Sequence, residues 1–315
     1  MLKHISLLFL GILCSFSLSA QQKITKSFDG IKEIKLSTGS GDCHVVQSSN
    51  NSVVVDLNYT YADDNYEPVF EKDGNTLILK DKFRNNRSGN GYSKWKLSVP
   101  TNIKLHYSAG SGDLDLAEVQ IDLNSNTGSG DIEISSLKGN FTSNSGSGEV
   151  SVDGYEGQLN INTGSGDIAL ANAKGDFKIN LGSGDIDAQK IEGGLKFNAG
   201  SGDITVNDAT ISASSSLNSG SGDAKLILKS DLQANVSINS GSGDATLDFN
   251  GLEVQGLFTM KANKKHGEIS APFEFDEVSE EKHGNQTVVT KKASIGKSKF
   301  EVKIGTGSGR ASVQK

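Results

Sequence analysis

From Leu114 to Leu247, apolar residues come in pairs two positions apart, each pair directly behind the tetrapeptide Gly-Ser-Gly-Asp or a near copy of it. With the first glycine as position one, position five reads Leu114, Ile132, Val150, Ile168, Ile186, Ile204, Ala224, Ala245. Position seven reads Leu116, Ile134, Val152, Leu170, Ala188, Val206, Leu226, Leu247, and position fourteen adds Leu123, Phe141, Leu159, Phe177 and Leu195. Alternation bounded by glycines predicts short, half-buried strands, and no stretch here sustains a helical period. The first glycines Gly110, Gly128, Gly146, Gly164, Gly182, Gly200, Gly220 and Gly241 step by 18, 18, 18, 18, 18, 20 and 21 residues. A fixed period of this size predicts stacked coils. The expected fold is all-β, a single-stranded parallel β-helix (β-solenoid) of about 18 residues per coil. A right-handed coil is favoured because parallel crossovers are overwhelmingly right-handed.

Glycines mark two bends per unit, at Gly-Ser-Gly and at position twelve (Gly139, Gly157, Gly175, Gly193), where positive φ costs glycine nothing. Stacking then aligns equivalent side chains about 4.8 Å apart. An asparagine column, Asn126, Asn144, Asn162, Asn180, Asn198, Asn218 and Asn239, is expected to form a buried amide ladder. A carboxylate column, Asp113, Asp131, Glu149, Asp167, Asp185, Asp203, Asp223 and Asp244, is expected to cap its own turns. A calcium roll is the competing reading, but its Asp stands two residues after a glycine, whereas here Asp follows glycine directly. Position eleven alternates in sign, Lys138, Glu156, Lys174, Glu192, which turns a repulsive stack into ion pairs. A flat Thr-x-Thr surface for ice or mineral is broken, since position eighteen reads Thr127, Ser145, Thr163, Leu181, Ala199.

The 315 residues include 37 Gly but only 3 Pro and are 35% hydrophobic, too apolar and too periodic for a disordered chain. The net charge of −7 gives no general attraction to nucleic acid or anionic lipid. Residues 1–20 read as a secretory signal: Lys3 and His4, an apolar run from Ile5 to Phe16, then Leu18-Ser19-Ala20. That run is too short to span a membrane, and Cys14 with Leu13 before it is a poor lipidation site. The exported chain, periplasmic, secreted or held at the cell surface, keeps one cysteine, Cys43, so no internal disulfide is possible. Residues 21–315 are expected to be one continuous solenoid domain: irregular coils over 21–109, regular repeats over 110–250, irregular coils over 251–315. The 71 residues from Gly39 to Gly110 are close to four coils, with probable loops at 63–67 and 85–92.

The signal sequence, the strand-like opening ending in Trp95 to Pro100, and the repeated Gly-Ser-Gly-Asp-Ile-x-Val together resemble the putative-adhesin family of secreted bacterial β-solenoids. That family includes the head-domain type of putative autotransporter adhesins and has no assigned function. The resemblance covers most of 25–313 and brings no catalytic, cofactor-binding or metal residues.

Function is expected to be structural or interactive: an exported surface protein binding an unknown glycan, protein or envelope component through its repeated face. No nucleic acid, membrane span or cofactor is implied, and no enzyme. The alternative is a carbohydrate-active enzyme on a parallel β-helix, because stacked carboxylates match the spacing of retaining glycosidases. Such enzymes concentrate unlike acids, bases and arginines at one place. Here the carboxylates recur on every coil, the arginines are only Arg84, Arg87 and Arg310, and His44, His106, His266 and His283 have no short metal-ligand spacing.

Overall fold

Register between successive repeats sets the architecture. Val150 pairs with Ile168 and Ile168 with Ile186, always parallel, and the match continues through Asn162, Asn180 and Asn198. A computed structural model describes residues 21–84 and 90–315. The chain folds as an all-β, solenoid-like stack, and no helix occurs among the described residues. The secretory signal expected at 1–20, and residues 85–89 with Arg87 of the loop expected at 85–92, lie outside the described residues.

Each repeat turns three times, not twice. Gly-Ser-Gly makes one corner and the position-twelve glycines, at φ between 139° and 151°, make another. A third bend falls at position nine, where Glu118, Ser136, Gly154, Asn172, Lys190 and Asp208 all have φ between 50° and 75°. These residues share no chemistry, so their common left-handed backbone left no mark in the sequence. The bend swings position ten inward, where Val119, Leu137, Tyr155, Ala173, Ile191 and Ala209 are buried. Position sixteen also faces inward, changing from Ser125 and Ser143, whose hydroxyls bond each other at 2.8 Å, to Ile161, Ile179 and Phe197. Each of the five 18-residue coils thus buries positions five, seven, ten, fourteen, sixteen and eighteen. A buried Ile or Leu contributes about 1.5–3 kcal/mol over leaving it in water.

The flanks depart from the expected stacking of four irregular coils. Gly110 N donates to Gly39 O at 2.9 Å, so copies 71 residues apart are immediate neighbours. Strand Glu33–Thr38 lies between Thr76–Lys80 and Ile103–Ala109. Likewise Asp42–Gln47 lies between Ser93–Val99 and the Leu114 strand. The first coil in sequence is therefore second in space. The other end repeats the arrangement: Glu301–Thr306 is parallel to both Val236–Ser240 and Gly256–Asn263. The first and the last coil in sequence both lie inside the stack as penultimate coils.

The intervening residues leave sideways as antiparallel strands and cover the ends. Ser52–Tyr59 pairs with Gln22–Asp29 and with Ser93–Val99, and Val69–Asp73 pairs with Thr76–Lys80. At the far end Gln286–Ile295 pairs with Gly256–Asn263 and with Glu277–His283. Antiparallel cover of this kind closes a solenoid's open edges. It also shortens the stack: the fourteen-to-eighteen side has twelve levels, roughly 53 Å at about 4.8 Å each.

At the N-terminal cap Asp81 stands where a Gly-Ser-Gly turn would begin. Its carboxylate accepts bonds from Thr38 Oγ1, Tyr66 OH (2.5 Å), Ser93 Oγ (2.7 Å) and Trp95 Nε1 (3.2 Å). Burial, then the Asp81 charge, pushes the Tyr66 phenol well above its ordinary range.

Candidate functional site

The columns read from sequence all form, with altered roles. Asn144 Nδ2 donates to Asn126 Oδ1 at 3.1 Å, and equal bonds of 2.8–3.2 Å carry the ladder through Asn162, Asn180, Asn198 and Asn218 to Asn239. The ladder faces outward, from half-buried in the middle to exposed at both ends, contrary to the buried column expected. The hydroxyls just after it, at position eighteen, point inward. Ser145, Ser219 and Ser240 accept from the third amide of their own turns, at 2.8–3.1 Å. The position tested above as an ice-binding surface is therefore inside the coil.

The carboxylates do not cap their own turns. All but Glu149 reach one coil onward: Asp131 N donates to Asp113 Oδ1 at 2.9 Å, Asp203 N to Asp185 Oδ1 at 2.7 Å, and Asp244 N to Asp223 Oδ1 at 2.7 Å. At one end Lys94 Nζ lies 3.7 Å from Asp42. At the other, Arg310 N donates to Asp244 Oδ1 at 2.7 Å and Arg310 Nε to Glu268, its register partner beyond, at 3.1 Å. Asp187, two residues past the column, is shifted upward, first by desolvation and then by Asp185, Asp167 and Asp203. Position eleven pairs as expected, Lys138 with Glu156 at 3.1 Å and Lys174 with Glu192 at 2.7 Å. Among the described residues no three His, Cys, Asp or Glu side chains come together as a metal site.

The concave feature is elsewhere, at the corner spanning positions eleven to fifteen. Position twelve has no side chain on four coils, and positions thirteen and fifteen both point out. Between them runs a groove of roughly 690 Å3 with Thr142, Gln158, Asn160, Asp176, Lys178 and Lys196 on its walls and Leu159 and Phe177 beneath. Its far wall is the two-residue insertion of the Gly200 repeat. Ala213 leans over Gly194 so closely that a Cβ there would stand 3.1 Å from Ala213 Cβ. The groove continues through Asn140 toward Asn102 and through Ser214 toward Lys303. These sections cross nine coils, roughly 38 Å at the same rise.

Two properties distinguish the groove. Lys138, Lys178, Lys196 and Lys303 are matched by Asp122, Glu156, Asp176 and Glu301, so its lining is neutral on a protein of net charge −7. Asn160 Oδ1 is sealed from solvent and accepts no hydrogen bond, alone in this among the buried side-chain polar atoms of the described residues. Sequence reading missed the groove because its walls are mixed polar residues. Only the length of the sixth repeat step, 20 in place of 18, hinted at the insertion that closes it.

Several solved structures share this chain's general form. A putative cell adhesion protein from Clostridium sporogenes ATCC 15579 is 15% identical, over 94% of this chain and 99% of that one, with a TM-score of 0.24. A putative adhesin from Parabacteroides distasonis ATCC 8503 is 13% identical, over 94% and 97%, with a TM-score of 0.42. A putative lipid binding protein from the same organism is 18% identical, over 72% and 89%, with a TM-score of 0.35. At these values the likenesses carry no argument about this chain's function. No curated protein matches it. The Toastrack DUF4097 family model matches residues 31–266, the stretch holding the regular coils and the groove, and the chain belongs to that family.

Proposed function

We propose that this protein is an exported, adhesin-like binding protein that presents a rigid solenoid to a ligand outside the cell or in the envelope. The observation that carries this reading is the axial groove: a concave surface shared by many coils and walled by polar side chains. The scaffold is read as one continuous domain over 21–315, a right-handed single-stranded helix of 18-residue coils. The hand follows from crossover preference, and the unity from one apolar core running from Ile31 to Val313. Export rests on the signal pattern in residues 1–20.

The protein is read as a binder rather than an enzyme because its stacked carboxylates are already employed. All but Glu149 hold the amide of the next coil and so serve the stack itself rather than standing free beside a substrate. The test uses labelled exported chain on whole cells and isolated envelope. Saturable binding that falls when Lys178 and Asn160 are both changed to Ala is expected. Unsaturable binding, or release of shortened polysaccharide fragments, would replace this reading with the glycosidase alternative.

A further inference from the structure

We infer that the groove holds a neutral, linear polysaccharide lying along the solenoid axis; this deepens the proposed function and rests on it. The shape selects a chain. The groove is open along its length and crosses nine coils, whereas a compact ligand would need an enclosed cavity. The charge selects a neutral ligand. Four lysines offset by four carboxylates leave no field to attract a polyphosphate or polyuronate.

The backbone selects against a peptide strand. Peptides that lie along sheets add to a free edge, but the strands beneath the groove are hydrogen-bonded to both neighbours, Leu159 to Phe141 and Phe177, and Phe177 to Leu195. No edge is available there. A lipid would need an apolar trough, and here amides, hydroxyls and charged groups line the walls.

A polyhydroxylated chain meets each condition. Sugar hydroxyls can bond to Thr142, Gln158, Asn160 and Ser214 along the walls. An extended hexopyranose chain advances by about one coil per residue, so equivalent groups on successive coils meet successive sugars in the same way. Lys178 and Lys196 would donate to ring and hydroxyl oxygens.

The experiment titrates the exported chain calorimetrically with cellohexaose, β-1,4-mannohexaose and chitohexaose, each beside its disaccharide, and with an oligo-uronate as the charged comparison. At least one neutral hexamer is expected to bind at least about tenfold more tightly than its disaccharide, because more coils are engaged. Asn160→Ala and Lys178→Ala should each weaken it, while Lys225→Ala, away from the groove, should not. Circular dichroism of the variants guards against misfolding. Absence of binding to all three hexamers at millimolar concentration, preference for the oligo-uronate, or indifference to the groove variants would overturn the inference. Groove-dependent envelope binding that survives enzymatic removal of glycans would also overturn it while leaving the proposed function standing.

Discussion

Replacing Gly130 with Ala isolates what holds the coils at their spacing. Gly130 is the third residue of a Gly-Ser-Gly turn, and its φ is outside the left-handed range. An added methyl therefore meets only its neighbours. It would stand 1.9 Å from Gly112 O, the carbonyl of the coil below. Real contacts of this kind are no shorter than about 3 Å, so the coils must part locally by roughly 1 Å. Two bonds span that gap, Ser129 N to Gly110 O at 3.0 Å and Asp131 N to Asp113 Oδ1 at 2.9 Å. Stretched by that amount, both pass the limit for a hydrogen bond.

Losing one neutral and one charge-assisted bond costs about 2–4 kcal/mol. Gly74→Ala supplies the comparison: φ is +58° and nothing lies within 4 Å, so only left-handed strain is added, about 1–2 kcal/mol. Urea unfolding of both variants, with hydrogen exchange of the Ser129 and Asp131 amides, measures the difference. The Gly130 variant should be the less stable, and its exchange should accelerate around that one turn. Equal losses, or a smaller loss at Gly130, would refute the close-approach argument and leave backbone conformation as the sole reason for these glycines.

Glu149 is the one column member with an extra methylene. No bond from Asp167 N reaches it among the described residues, although Asp185 N finds Asp167 Oδ1 at 2.9 Å. Glu149→Asp should restore the link and raise stability by about 0.5–1 kcal/mol in thermal unfolding; an unchanged or lower Tm would contradict it. Asp187, with its folded pKa raised by desolvation and by the column, binds its proton more tightly folded than unfolded. Its charge therefore opposes folding above the folded pKa, and that penalty vanishes as pH falls below the ordinary aspartate value. Asp187→Asn should raise Tm at pH 7, with the gain shrinking on acidification through the range just above ordinary aspartate; a gain independent of pH would refute the assignment. Calcium should matter little, because every column carboxylate but Glu149 already serves an amide and a single column offers too few of the six to eight oxygens calcium takes. A chelator that lowered Tm by many degrees, reversed by calcium and not magnesium, would show otherwise.

Repetition made most of the fold legible in the sequence. One unit's apolar alternation, read eight times over, left a stacked β architecture as the consistent solution, and it put Ile168 and Leu170 inside without ambiguity. Stacking in turn required the Asn and Asp columns to exist. Which way those columns faced and what they bonded were not legible. The Asn ladder faces out because positions fourteen, sixteen and eighteen of the same strand face in, which the serines at position sixteen, Ser125 and Ser143, concealed. Each bonded Asp meets the next amide only through the stacking of one turn on another. The flanks hid their order for a related reason. Sequence distance cannot tell four stacked coils from one coil with a sideways excursion, and only tertiary pairing put Gly39 against Gly110 and Gly241 against Gly307. The groove belongs wholly to that level. Thr142, Gln158, Asn160 and Lys178 stand in three different chemical classes across three coils, and nothing but the 18-residue register and a two-residue insertion brings them to one surface.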